Sequence, residues 1–257
     1  MNILSVVSAK GGVGKTTVAA NLAVALQMAG HSVLAVDLDP QNGLRYHFSL
    51  EQSGQNGLAI SGPAGRLHEA LQETASGVTL IPYGVCTEPQ RREFESLLLK
   101  DPTWVRRQLE DLGLHEDAIV VLDTPPGPSV YGTQALTAAT VVVVVVLPDA
   151  GSYITVPQMR SLIDTYCTAR ADFHDFGVII NQIDQSRLLG KDVVAVLRSS
   201  FGDRYIGGVH LDQSISESLA FGQSVFQYAP YSEGASDLKA CSMWVASCLF
   251  SDREKVA

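Results

Sequence analysis

The stretch "SAKGGVGKTT" (residues 8–17) sets two lysines, Lys10 and Lys15, around three glycines, Gly11, Gly12 and Gly14. An apolar β-branched run precedes it and an alanine-rich run follows it. A strand, a glycine loop and a helix in that order present backbone N–H groups to a polyphosphate, and the helix N-terminus adds a partial positive charge. Gly11, Gly12, Val13 and Gly14 would form the cradle, and Lys15 would reach the β- and γ-phosphates. The Thr16 hydroxyl would ligate Mg²⁺ and Thr17 would reach a further phosphate. The strict spacing G-x-x-x-x-G-K-[ST] is broken by Ala9 at its first glycine. A dinucleotide pattern also fails, because Thr17 stands where its third glycine would fall.

Two further motifs supply carboxylates where such folds bind ligands, at the carboxyl ends of strands. In "VDLDPQ", Asp37 and Asp39 lie two residues apart and so on one side of an extended segment. One can hold the Mg²⁺ shell while the other orients an attacking water. In "VVLDTPPG", Asp123 reads as the acid that supports the Mg²⁺ waters, and Gly127 as a backbone N–H turned toward the γ-phosphate.

The elements that must hold these residues are legible as alternating strand and helix patterns. Residues 2–8, 32–39, 77–84, 118–124, 140–148, 175–182 and 204–210 read as strands, and 16–30 as a helix ending at the C′ glycine Gly30. Unbroken apolar runs such as "VVVVVVL" (141–147) mean strands covered on both faces. The expected fold is α/β: a doubly wound, mainly parallel sheet of seven to eight strands with helices on both faces, forming one domain over 1–257. Residues 51–66, rich in Gly, Ser and Gln, read as a mobile surface loop.

A hydrophobic fraction of 46% against 18% charged residues supports a buried core and excludes disorder. The net charge of −9 makes non-specific nucleic-acid binding unfavourable, since neutralising phosphates takes clustered Lys and Arg. Cys86, Cys167, Cys241 and Cys248 form no C-x-x-C and read as reduced, buried thiols of a cytoplasmic protein. The longest apolar run is far short of the roughly 20 residues that span a bilayer. No transmembrane segment is expected, and any recruitment to the inner membrane would go through protein partners.

"KGGVGKTT", "VDLDPQN" and "VVLDTPPG" together resemble the deviant Walker A ATPases, P-loop NTPases that include the bacterial septum-site and chromosome-partition ATPases. The resemblance covers nearly the whole chain. It implies that Lys10 crosses a homodimer interface to the partner's phosphates, with two ATP molecules sandwiched between the subunits. It implies that Asp39 orients the attacking water and that Asn181, in "VIINQID", contacts adenine; the lesser alternative for Asn181, from the sequence alone, is a turn-forming residue. Bridging cysteines of the iron–sulfur branches are absent, and the tail "DLKACSMWVASCLFSDREKVA" reads as a helix packed on the core rather than a basic lipid-binding one.

Three segments resemble the branch encoded with bacterial cellulose synthase and needed for cellulose secretion: "DPQNGLRYHFSL" (39–50), "LPDAGSYITVPQM" (147–159) and "GGVHLDQSISESLAFGQSVFQYAP" (207–230). That resemblance implies a slow, partner-regulated Mg²⁺-dependent ATPase. It would dimerise around ATP and act as an assembly switch for the membrane-embedded cellulose synthesis and secretion complex. The alternative is a partition-type ATPase that binds non-specific DNA as an ATP dimer. Arg45 is either solvated or a dimer or nucleotide contact; His210 either flanks adenine or fills a loop.

Overall fold

The computed structural model describes residues 1–50, 56–186 and 188–250. The chain runs β1 (Asn2–Val7), α1 (Lys15–Met28), β2 (Val33–Asp37), α2 (Leu58–Ser61), β3 (Gln72–Glu73), β4 (Thr79–Ile81), α3 (Glu88–Lys100), α4 (Trp104–Glu110) and β5 (Ile119–Asp123). It continues through α5 (Val130–Ala138), β6 (Val141–Val146), α6 (Ala150–Tyr166), β7 (Asp175–Ile183), α7 (Leu188–Phe201), β8 (Tyr205–His210), α8 (Gln213–Ala220), α9 (Val225–Tyr228) and α10 (Glu233–Leu249). A 3₁₀ turn, Leu44–Phe48, follows β2. The strands form one eight-stranded sheet in the order β3-β4-β2-β5-β1-β6-β7-β8. All neighbours are parallel except β3 and β4.

The period of two along each strand sorts side chains between the helix layers. Val141, Val143 and Val145 face the layer that contains α1 and α10, and Val142, Val144 and Val146 face α6. Six valines in a row therefore serve two cores at once, which is why the run carries no polar alternation. On the other half of the sheet, Leu34, Val36, Val120 and Leu122 pack against α3, α4 and α5. The described part of the tail belongs to α10, whose Leu238, Cys241, Val245 and Leu249 are buried against the α1 side of the sheet, as expected of a helix packed on the core; residues 251–257 of the tail lie outside the described residues.

The same parity aims the carboxylates. Asp37 continues the face of Val33 and Ala35, and Asp123 that of Ile119 and Val121, so both point toward α1. They are direct partners in the β2–β5 register.

The region 51–66 departs from the mobile loop expected of it. Residues 51–55 lie outside the described residues, but Leu58–Ser61 forms a helical turn with Leu58, Ala59 and Ser61 buried. The Leu58 and Ala59 amides donate to the Pro82 and Tyr83 carbonyls, and a Cβ on Gly57 would meet the Gly84 backbone at 2.4 Å. Gly57 serves close backbone packing rather than freedom. All four cysteines are unbridged, and burial pushes the Cys167 and Cys241 thiols up to about 12.

His47, in the 3₁₀ turn after β2, is 4% exposed, and burial lowers its pKa to about 4. An unfolded chain takes up that proton near pH 6.5 and the folded chain only near 4. Stability is therefore lost as pH falls through this window, by up to about 3 kcal/mol. His47→Leu is expected to flatten this dependence. Urea midpoints of the two proteins at pH 7 and pH 4.5 check it; a wild-type-minus-variant difference that ignores pH would exonerate His47.

Candidate nucleotide site

Gly14 caps α1 at φ 81° without any side-chain cap, and Gly12 also has a positive φ of 74°. The loop needs glycine at both positions, because β-carbons resist the left-handed region. The first amides of α1 thus lack a side-chain acceptor from the cap residue, and a helix start of this kind suits an anion. Lys15 opens the helix with a side chain only 6% exposed, and its Nζ donates to Asp123 Oδ1 at 2.6 Å.

Asp37 and Asp39 add their charges beside Asp123, the carboxylate that Lys15 pairs with. The Asp37–Leu38–Asp39 segment turns back on itself: Asp37 Oδ1 accepts from the Asp39 amide at 2.9 Å and Oδ2 from the Leu44 amide at 3.0 Å. Asp37 therefore anchors the loop after β2 as well as contributing charge. Burial, and then the Asp123 charge beside it, raise the Asp37 pKa well above its ordinary value. Burial also raises Asp123, against the opposing pull of Lys15 and of the Thr16 hydroxyl. Asp123 Oδ2 is buried without a hydrogen-bond partner. Asp39 Oδ1 accepts from the Gln41 amide at 2.9 Å, and its Oδ2 makes no hydrogen bond among the described residues. Like charges in register cost stability, and one lysine against three aspartates leaves a deficit of positive charge.

No cluster of three or more His, Cys, Asp and Glu side chains arranged to hold a metal ion occurs among the described residues. The unpartnered Asp123 Oδ2 and the Thr16 hydroxyl beside Asp123 are hard oxygen donors of the kind that suits Mg²⁺, an ion held through one or two carboxylates, waters and phosphate oxygens rather than an all-protein cage.

Val13 is buried, and its carbonyl accepts from Asn181 Nδ2 at 2.8 Å. A Cβ on Gly14 would meet that same amide nitrogen at 2.4 Å, so Asn181 braces the loop from β7. The Thr17 carbonyl accepts from Asn21 Nδ2, and Asn21 Oδ1 in turn accepts from the Val225 amide, tying α1 to α9. Gly127 has φ 73°, but its amide, expected to face a γ-phosphate, donates to the Ser8 carbonyl at 2.8 Å. A Cβ on Gly11 would make only ordinary contact with Pro126.

Lys10 has a partner that the motifs did not signal. Its Nζ donates to both Asp149 oxygens, at 3.1 and 3.0 Å. Asp149 caps α6 by accepting from the Ser152 amide at 2.6 Å. Partial burial pushes its carboxyl up, but the Ser152 amide and the Lys10 ammonium outweigh this and hold it below its ordinary value. A Cβ on Gly151 would meet Lys10 Nζ at 2.5 Å. The cation thus rests at a helix N-terminus, an unfavourable place that the Asp149 carboxylate offsets. In the sequence the only local signal is an Asp ahead of a helix, which reads as a cap. His210 Nδ1 donates to Asp237 Oδ2 at 2.8 Å, and Asp237 lies on α10.

The sequence model of the family described as "Cellulose biosynthesis protein BcsQ" matches residues 1–249. The chromosome-partitioning ATPase Soj of Thermus thermophilus is 32% identical over 244 residues, which cover 90% of this chain and 90% of that protein. The cellulose biosynthesis protein BcsQ of Salmonella typhimurium is 27% identical over 261 residues, covering 98% and 96%. The septum site-determining protein MinD of Pyrococcus horikoshii, solved with Mg-ADP, superposes with a TM-score of 0.77 at 22% identity over 95% of each chain. Cobyrinic acid a,c-diamide synthase of Mycobacterium smegmatis, solved with an ATP analog and magnesium, gives 0.75 at 23% identity over 99% and 97%.

Proposed function

The chain belongs to the cellulose biosynthesis protein BcsQ family, and on that premise we propose that it is a Mg²⁺-dependent ATPase whose ATP-bound homodimer switches the assembly of a cellulose synthesis and secretion complex. The observation that carries the ATPase reading is the carboxylate cluster at the carboxyl ends of β2 and β5. Asp37, Asp39 and Asp123 crowd their charges together there, Lys15 pairs with Asp123 alone, and Asp123 Oδ2 is buried without a partner. Such a site favours an added divalent cation. Mg²⁺ would supply neutralisation of the β- and γ-phosphate oxygens. Thr16, Asp37 and Asp123 are the residues that would hold it and its waters. Lys15 would trade Asp123 for phosphate, Asp39 would orient the attacking water, and Asn181 would brace the loop beside the adenine. The domain is single over 1–257 in this reading. Among the described residues no helix is long and apolar enough to cross a membrane. In this reading the chain would meet the inner membrane through partner proteins.

Lys10 is the dimerisation lysine in this reading, and it would leave Asp149 to reach a partner's phosphates. Lys10→Ala is expected to bind ATP like wild type, to lose the ATP-dependent dimer, and to slow turnover on the order of tenfold to a hundredfold. That is short of the roughly 10³–10⁵ of an arginine finger, because lysine offers a point charge rather than a fork. Light scattering with ATP and a phosphate-release assay check both. A variant that dimerises and turns over normally would remove Lys10 from the mechanism.

A second reading, a partition-type ATPase that binds DNA, is favoured by the 32% identity to the Thermus thermophilus relative. Gel retardation of non-specific DNA with ATP at physiological salt separates the two. The net charge of −9 supports the expectation of no retardation.

A further inference from the structure

Arg45 stands in the 3₁₀ turn just beyond the nucleotide site, 8% exposed, and takes no part in the chemistry above. Its guanidinium carbon lies 4.0 Å from the centroid of the Tyr46 ring. Nη2 donates to the Tyr46 hydroxyl at 2.5 Å and Nη1 to the Leu50 carbonyl at a marginal 3.5 Å. Nε is buried with no hydrogen-bond partner, and no carboxylate pairs with Arg45 among the described residues. A guanidinium always carries its charge, and burying that charge against neutral acceptors alone is unfavourable.

The side chain lines an open depression of about 540 Å³ between the 3₁₀ turn and the C-terminal end of α8. The rim is aromatic: Tyr46 is 53% exposed and Phe221 is 64% exposed, stacked on Tyr228. Ser49 closes one side by donating to the Gly222 carbonyl at 2.9 Å. Apart from Arg45 the lining is neutral among the described residues. One positive charge under an aromatic and aliphatic rim matches a singly charged carboxylate better than a phosphate. Arg beside exposed Tyr and Phe is also the composition that concentrates binding energy in protein interfaces.

We propose that this depression is a docking site for an acidic side chain of a partner protein, whose carboxylate pairs with the Arg45 guanidinium once the Tyr46 ring swings off it. The site touches the nucleotide machinery through one residue. Leu44, whose amide donates to Asp37 Oδ2, immediately precedes Arg45, so a partner held at Arg45 would bear on the loop that Asp37 anchors. Only that coupling rests on the ATPase reading; the docking site does not, and it is tested without nucleotide.

The test follows the Arg45 Nε–Hε resonance of the ¹⁵N-labelled protein during titration with the blocked peptide acetyl-Leu-Glu-Leu-amide, its Gln counterpart, sodium formate and sodium phosphate. The Glu peptide should shift the resonance saturably and the Gln peptide should not. Formate should need at least about tenfold higher concentration, lacking the contacts to Tyr46 and Phe221. Arg45→Met should melt no lower than wild type and should lose the Glu-peptide-dependent rise in Tm. If that variant does not fold, the wild-type titration decides alone. No shift with the Glu peptide overturns the proposal, as does a shift shared with the Gln peptide or an equal one from phosphate. Formate acting as strongly as the peptide would make the ligand a free small carboxylate and overturn the partner. An Arg45 resonance that moves in Glu51→Gln before any ligand is added would place the counter-charge within this chain, with the same consequence.

Discussion

Lys15→Ala is expected to abolish ATP hydrolysis and to weaken ATP binding roughly 10²–10³-fold, because truncating one member of a buried charge pair costs about 2–5 kcal/mol in a binding site. The same variant should lose stability with no nucleotide present. Lys15 and Asp123 are 6% and 1% exposed at 2.6 Å, and Lys15 is the only lysine or arginine paired with Asp123 among the described residues. Breaking such a pair from one side typically costs about 3–5 kcal/mol, a large part of a total of about 5–15. The sign with pH is fixed by the aspartates. Burial already raises Asp123 and Asp37 above their ordinary values, and loss of Lys15 removes the pull that opposes this at Asp123. The folded variant then binds more protons than the unfolded chain, so its stability falls as pH rises above the carboxylate's ordinary value near 3.8 and recovers on acidification. The deficit against wild type should be smaller at pH 5 than at pH 7.5. The double variant Lys15→Met with Asp123→Asn should regain most of it while remaining inactive. Urea unfolding at both pH values and binding of a fluorescent ATP analogue measure this. A Lys15→Ala protein as stable as wild type at pH 7.5 would mean the pair contributes nothing.

What the residues announce and what they conceal divides along sequence distance. The strands are legible because a β-branched run such as 141–146 can bury both faces only in the interior of a parallel sheet. The convergence of Lys15, Asp37 and Asp123 is legible because the motifs end strands, and parallel register brings strand ends together. The links that hold the site are not. Lys10 and Asp149 are 139 residues apart, and nothing in either neighbourhood names the other. The role of Asp37 as an anchor for the Leu44 amide depends on how the loop after β2 folds back. The helix at Leu58–Ser61 was hidden because its cause, the contact of Gly57 with Gly84, is tertiary, while its composition reads as loop. The unpaired state of the Arg45 Nε is a property of surroundings that only the folded chain reveals.

Asp39→Asn should slow single-turnover hydrolysis by about 10²–10⁴-fold, the usual worth of a positioned proton acceptor, while the protein becomes no less stable. The two halves of that expectation have one origin. The Asp39 side chain does structural work through Oδ1, which accepts from the Gln41 amide, and an asparagine carbonyl can take over that bond. What asparagine lacks is charge. That charge now disfavours the ionised forms of both Asp37 and Asp123, so its removal relieves repulsion within a buried cluster. Activity and stability should thus move in opposite directions, as happens where a site keeps like charges together for its chemistry. With hydrolysis stalled and the phosphate contacts intact, the ATP-bound dimer should accumulate. Asp39→Ala separates the contributions: it loses the turn-closing hydrogen bond as well, so it should match the asparagine variant in turnover and fall below it in thermal midpoint. Phosphate release, light scattering with ATP and melting curves of the three proteins are the measurements. An asparagine variant that hydrolyses ATP at the wild-type rate would assign the water to another residue; one that stays monomeric with ATP would separate hydrolysis from the switch.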